Sequence, residues 1–314
     1  MCRIRARACA VLLASILVLT LHASSLRAEE PPSATSPFDV TLGGRLWATS
    51  GTSSRSVSAV GFPRLSELRW RGVDAVAPEV NVELVWKRLV VLGSLGGGVI
   101  KDGVLLDEDF SPGGGRIGRT RSEVDDSHLF FFSTDIGARL FDWTAPAPGT
   151  RGFVDMLVGF QYWQERYVAF GGTGFPATVD AGVKAISNRY EWRSVRLGAR
   201  TAVPVWGGVS VALRGYVIPW TSVVIEDVHY LRSDLRTDPS FRDEANGGIG
   251  VQADGAVRYA ITPHLSAELG FQYWLLKSGD GDETAFTVAG AARQTLKEAR
   301  TERYGPFVGV RWRF

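Results

Sequence analysis

Cysteine is all but missing from this chain. Its two copies, Cys2 and Cys9, lie among the first nine residues, and neither follows an apolar run as a lipid-modified cysteine would. Once that leader is removed, no disulfide and no thiolate metal site can form. Past Leu21, no stretch approaches eighteen consecutive apolar residues, so transmembrane helices are excluded. Charge of one sign is missing too: 35 basic and 33 acidic side chains leave +2, with no basic excess to argue for nucleic acid. No Gly-rich phosphate loop precedes a helix, and no Ser-His-Asp spacing is present. His128 and His264 cluster with neither cysteine nor another histidine, so no zinc site is expected.

The N-terminus carries an export signal. Arg3, Arg5 and Arg7 precede a short apolar run, Val11 to Leu21, and small residues follow it. Such a run is too short to span a bilayer. Residues 1–28 read as a cleaved signal ending at Ala28, with Ser25 a second cleavage candidate, and 29–37 as a loose, acidic, Pro/Ser-rich segment. Removal of the signal takes four arginines and no acids, turning +2 into −2.

The remaining chain, residues 38–314, alternates in steps of two. In the last eleven residues Tyr304, Pro306, Val308, Val310, Trp312 and Phe314 form one face, and Gly305, Phe307, Gly309, Arg311 and Arg313 the other. A strand with an apolar stripe on one face and arginines on the other fits the wall of a membrane β-barrel with a wet lumen. The same pattern gives strands over 38–50, 64–86, 89–100, 129–143, 151–170, 185–204, 209–229, 248–262, 265–278 and 303–314. Short turns join them at one end, as at Lys87-Arg88 and Gly207-Gly208, and long loops (102–126, 171–184, 230–247 and 279–299) at the other. The prediction is an all-β, transmembrane, antiparallel up-and-down barrel of about ten strands, with long extracellular loops and short periplasmic turns. Gly159-Phe160-Gln161-Tyr162-Trp163 recurs as Gly270-Phe271-Gln272-Tyr273-Trp274, read as two strands meeting one membrane interface with the same aromatics.

Two clusters at the same end of the barrel can carry chemistry. In extended chain, residues two apart share a face. Asp107 and Asp109 in L-L-D-E-D-F therefore pair, and so do Asp227 and His229 in I-E-D-V-H-Y. A carboxylate beside a histidine raises its basicity. Such a pair can take a proton from water, and a second acid pair across a cleft can hold that water. By itself the acidic loop also suits calcium. One conflict stands: Val209, Val211, Leu213 and Val217 make the odd positions of their strand lipid-facing, and Asp227 and His229 are odd. A bulge at Pro219-Trp220 would reset the phase.

These residues in this order resemble the omptin family of outer-membrane proteases. The resemblance runs through Ser66-Glu67-Leu68-Arg69-Trp70, Asp107-Glu108-Asp109-Phe110, Gly159-Phe160-Gln161 with Gly171-Gly172, Asp227-Val228-His229-Tyr230, Ile261-Thr262-Pro263 and the terminal Phe314. It implies an aspartic-type endopeptidase without a covalent intermediate or cofactor, monomeric, in the bacterial outer membrane with its site facing outward. Asp107, Asp109, Asp227 and His229 would be catalytic. Polypeptides would be the substrates and lipopolysaccharide the activator, held by Arg166, Arg189 and Arg193 on the outer wall. The substrate-binding positions would be Arg55 and Ile225, where basic-specific members carry acids, with Glu226 as a neighbour able to restore the charge; cleavage at basic residues is thereby in doubt. A non-catalytic barrel (an adhesin, a narrow pore or a structural protein) is the alternative.

Overall fold

The computed structural model describes residues 38–144, 151–176 and 178–314. The signal read at 1–28, the loose segment at 29–37 and the Pro-rich turn at 145–149 lie outside them. Among the described residues there is no helix. Fourteen strand segments follow one another: β1 (Phe38–Ala59), β2 (Phe62–Arg71), β3 (Ala75–Trp86), β4 (Leu89–Ile100), β5 (Val104–Phe110), β6 (Arg116–Thr144), β7 (Arg151–Phe175), β8 (Val179–Trp206), β9 (Val209–His229), β10 (Phe241–Asn246), β11 (Gly248–Ala260), β12 (Leu265–Ser278), β13 (Gly281–Thr287) and β14 (Gly290–Arg313). All pairings are antiparallel, and β14 returns to β1, from Thr41 opposite Arg313 to Ser58 opposite Thr295, which closes the ring.

Four staves of the barrel are made of two segments stacked end to end. β2 stands above β3 along β1, β5 above β4 along β6, β10 above β11 along β9, and β13 above β12 along β14. Fourteen segments thus form ten staves with a lower and an upper storey. The interruptions remain hydrogen-bonded: Val124 N–H donates to Gly103 O and Gly247 N–H to Thr221 O. Gly103 and Gly247 take φ of 140° and 109° there, conformations that an L side chain would strain. Much of what the sequence offers as long loops is therefore upper-storey strand: β5 and the start of β6, β10, β13 and the start of β14. In these stretches serine, threonine and charged residues fill both faces, so the apolar stripe that marks a wall strand is lost.

The lower storey is apolar outside. Leu42, Val80, Leu95, Ile136, Val158, Leu213, Val251 and Val310 are exposed on it, with Trp86, Trp206, Trp312 and Phe314 toward one end and Phe132, Trp220, Phe271 and Tyr304 toward the other. A belt of this kind, edged by aromatic rings, belongs against lipid.

Inside, alternation delivers charge, and several of these charges are met by their opposites. Arg311 and Arg200 bind Glu83 at 2.8 and 2.7 Å, Arg139 and Arg200 bind Asp155 at 2.9 Å, and Arg196 binds Asp135 at 2.6 Å. Above them lies a floor of rings. Phe131 stacks on Trp163 at 5.1 Å, Trp163 meets Trp274 at 4.6 Å, and Trp47 abuts both Phe131 and Trp163. The repeated pentapeptide accounts for part of that floor. Phe160, Tyr162, Phe271 and Tyr273 turn to the outer face as the sequence suggests, but the two tryptophans turn inward and touch each other. A ten-staved lumen is narrow enough for side chains to fill.

Trp163→Ala would open a void in this floor. The expected cost is about 3–5 kcal/mol of unfolding free energy, measured by urea unfolding of the refolded barrel. A loss near zero would mean that the rings do not close the lumen.

Candidate active site

A single irregularity places the site. Along β9, Leu213, Gly215, Val217 and Pro219 face outward, and Trp220 does so as well. Opposite them, Val217 pairs with Leu197 and Trp220 with Val195, so β9 spends one more residue than β8 in that interval. This bulge at Ile218-Pro219-Trp220 reverses the phase. From Thr221 onward the odd residues are buried: Thr221, Val223, Ile225 and Asp227 all turn inward. The conflict raised by simple alternation is thereby resolved.

Asp107 and Asp109 stand on β5, opposite Leu68 and Ser66 of β2. Glu108 between them points away and pairs with Arg116 at 2.8 Å. Across the mouth, His229 ends β9 beside Ile186 of β8. Its backbone N–H donates to Ser240 Oγ at 3.0 Å, and its ring packs edge-on against Phe241 at 5.3 Å. His229 Nε2 lies 3.0 Å from Asp227 Oδ2. With Nε2 committed to Asp227, Nδ1 is the nitrogen left to accept a proton. Asp107, Asp109 and His229 line one cavity of about 570 Å³, so the structure brings these groups together.

Behind Asp227 lies a buried ion cluster that the sequence does not announce. Arg55 of β1 donates from Nη2 to Asp227 Oδ2, and from Nη1 to both oxygens of Asp243 (3.2 and 2.9 Å) and to Glu283 Oε2. Its guanidinium also lies 5.6 Å from the Phe241 ring centroid. Arg55, Asp227, Asp243 and Glu283 are all buried. One cation cannot balance three ionised acids in a dry site. Burial, and then the adjacent Glu283, push the Asp243 carboxyl well above its ordinary value, against the pull of Arg55.

The groups facing the cavity respond to the same surroundings. Burial alone would raise Asp227, but the charges of His229 and Arg55 hold it below the usual carboxylate value. Burial disfavours a charged His229, yet the Asp227 carboxylate and then Asp107 lift its pKa above the ordinary imidazole value, with Arg55 opposing them. Burial pushes Asp107 up to about 6, His229 pulling down and Asp109 and Asp227 adding to the rise. Loss of solvent raises Asp109 as well.

The other sequence-derived positions fall elsewhere. Arg55 touches the cavity but is spent on its three acids. Ile225 is wholly buried in the apolar core, and Glu226 sits on the outer face, bound to Arg189 at 2.6 Å and Arg242 at 3.0 Å. Neither lines the cavity, because the reversed phase gives Ile225 to the interior and Glu226 to the outside. Arg166, Arg189 and Arg193 are exposed on one face of β7 and β8, Arg166 directly opposite Arg189 and Arg193 opposite Tyr162. Asp243 and Glu283 were missed because they lie in stretches that read as loop; their two-residue spacing from Ala245 and Ala285 was the available signal.

No protein-family model and no curated protein matches this chain. Solved structures do. The crystal structure of the outer membrane protease OmpT from Escherichia coli aligns with a TM-score of 0.74 at 13% identity, over 90% of this chain and 99% of that one. The translocator domain of the autotransporter NalP from Neisseria meningitidis aligns over 98% of both chains at 11% identity, with a TM-score of only 0.35. This chain has the fold of an outer-membrane β-barrel. At such identities the likeness speaks for the fold and not for the chemistry.

Two outcomes check the site. Residues 38–314 contain no cysteine, so single cysteines can be mapped cleanly: Val224→Cys is expected to react with a water-soluble maleimide and Val223→Cys to resist it. The reverse pattern would remove the bulge. Arg55→Gln strands three buried acids, and its expected cost is about 3–5 kcal/mol in urea unfolding, whereas Arg64→Gln, at a half-exposed surface pair, is expected to cost under about 1 kcal/mol.

Proposed function

We propose that the protein is an outer-membrane endopeptidase of the omptin type, hydrolysing exposed polypeptides at the cell surface with its site facing outward. One observation carries this reading: His229, backed by Asp227, and the Asp107/Asp109 pair line a single cavity, above a lumen floored by aromatic rings and beyond the apolar belt. The likeness of fold to an outer membrane protease supports it. A narrow pore does not fit a lumen crossed by Trp47, Phe131, Trp163 and Trp274.

The chemistry follows from the geometry. A water held between Asp107, Asp109 and His229 gives its proton to His229 Nδ1 as its oxygen adds to the peptide carbonyl carbon. Asp227, fixed from behind by Arg55, stabilises the imidazolium that forms. Asp107 and Asp109, once ionised, accept hydrogen bonds from that water and orient it toward the carbonyl carbon. Collapse of the tetrahedral intermediate breaks the C–N bond, and the imidazolium proton passes to the leaving amine. No covalent enzyme intermediate is needed. Arg166, Arg189 and Arg193 are placed in this reading as the outer-wall site for lipopolysaccharide phosphates, with the protein active as a monomer.

His229→Ala is expected to reduce kcat/KM by roughly 10²–10⁴-fold, measured on a peptide library with refolded protein and lipopolysaccharide. His229 works in its neutral form, and its pKa lies above the ordinary imidazole value. Activity should therefore rise through about pH 6, where Asp107 ionises, and keep rising until His229 loses its proton. Asp227→Asn removes the charge that lifts His229, so any residual activity should show its acid limb at lower pH. An acid limb in the wild type centred far below pH 6 would sink this assignment.

A further inference from the structure

We infer that the cavity beside His229 seats a bulky apolar side chain next to the bond to be cut, so that the substrates are polypeptides presenting uncharged, apolar residues. For the cutting itself this rests on the hydrolase reading above; for the occupant it rests on the cavity alone.

The cavity, of about 570 Å³, has room for several side chains, within the range of specific ligand sites. Its wall on the β7–β8 side is apolar: Phe175, Val179, Ala185 and Ile186, joined by Leu231 and Leu235 from the segment after β9. Phe175 and Leu231 are 68% and 50% exposed. They lie in the upper storey, beyond the lipid-facing belt, where exposed apolar rings and branched chains next to a polar cluster mark a binding surface.

The charges argue the same way. Of the carboxylates lining the cavity, Glu283 is bound to Arg55, and Asp234 is paired with Arg232 at 2.6 Å. Asp107 and Asp109 face His229 and are engaged by the water in the reaction. Two further guanidiniums, Arg119 and Arg232, stand in the lining. Arg119 lies 3.6 Å from Glu108 and Arg232 is spent on Asp234, so a lysine or arginine side chain entering here would lose its hydration against an apolar wall, and the lining acids outside an ion pair, Asp107 and Asp109, are the ones that hold the water. A leucine or phenylalanine side chain would lose only its contact with water. Arg55 decides the matter through its partners. Held by three acids, it offers no free cation to an acidic substrate either.

The test uses the full chain refolded in detergent micelles with added lipopolysaccharide. A pool of decapeptides randomised at the central positions is digested by wild type, with His229→Ala as background, and the cut sites are read by mass spectrometry. In parallel, two fluorescent decapeptides, identical except for a central Leu-Leu or Lys-Lys, are bound to His229→Ala and followed by anisotropy. Cuts are expected beside Leu, Ile, Phe and Val, with the Leu-Leu peptide bound roughly tenfold tighter or more. Val179→Asp and Ala185→Asp, each placing a carboxylate on the apolar wall, should shrink or reverse that preference. Cuts enriched at Lys and Arg, or equal binding of the two peptides, would overturn the inference and leave the hydrolase reading standing. Selective binding of the Leu-Leu peptide without any cleavage by wild type would do the opposite.

Discussion

In a barrel wall every residue has its face fixed by parity, because successive side chains of a strand point to opposite sides. The site depends on that constraint being broken in β9, at Ile218-Pro219-Trp220. Below the bulge, the odd residues of β9 meet lipid. Above it they meet the lumen, and Asp227 and His229 are both odd. Without the extra residue the carboxylate and imidazole would project from the outer wall, while Glu226 and Val228 would line the cavity. Proline suits the place, since it cannot donate to a ladder and is tolerated at bulges.

Once the parity is reversed, Asp227 is delivered into a closed space already holding acids, and charge balance becomes the next constraint. Arg55 answers it. Its two terminal nitrogens serve three carboxylates, and the planar guanidinium holds Asp227 at Oδ2, the oxygen that also faces His229 Nε2. Arginine fits here because its fork presents several donors in fixed directions and stays charged when buried. The same cluster links β1, β9, β10 and β13 across the upper storey.

The two storeys divide the work. Below, the wall hides its charges inside and shows lipid an apolar belt. The ion pairs of Glu83, Asp155 and Asp135 and the ring floor above them fill the lumen. Above, the wall is polar on its outer face, and the cavity opens where β2 and β5 stand apart from β8 and β9. The ring floor lies between the cavity and the charged lower lumen.

Much of the plan was legible from residues alone. Alternation in the final strand, the missing long apolar run and the absent cysteine chemistry pointed to a barrel, because bilayer and lumen impose opposite chemistry on neighbouring residues. The D-E-D-F and D-V-H-Y spacings offered two pairs of groups with shared faces. What alternation cannot carry is a change of parity, since one extra residue leaves composition untouched and shows only when β9 is laid beside β8. Nor could it reveal Arg55 among Asp227, Asp243 and Glu283, which come from four staves and as many distant stretches of sequence. Local pattern determined which face each residue of a wall strand prefers. Ring closure decided which charges share a buried space, because that depends on strands far apart in the chain meeting across a lumen.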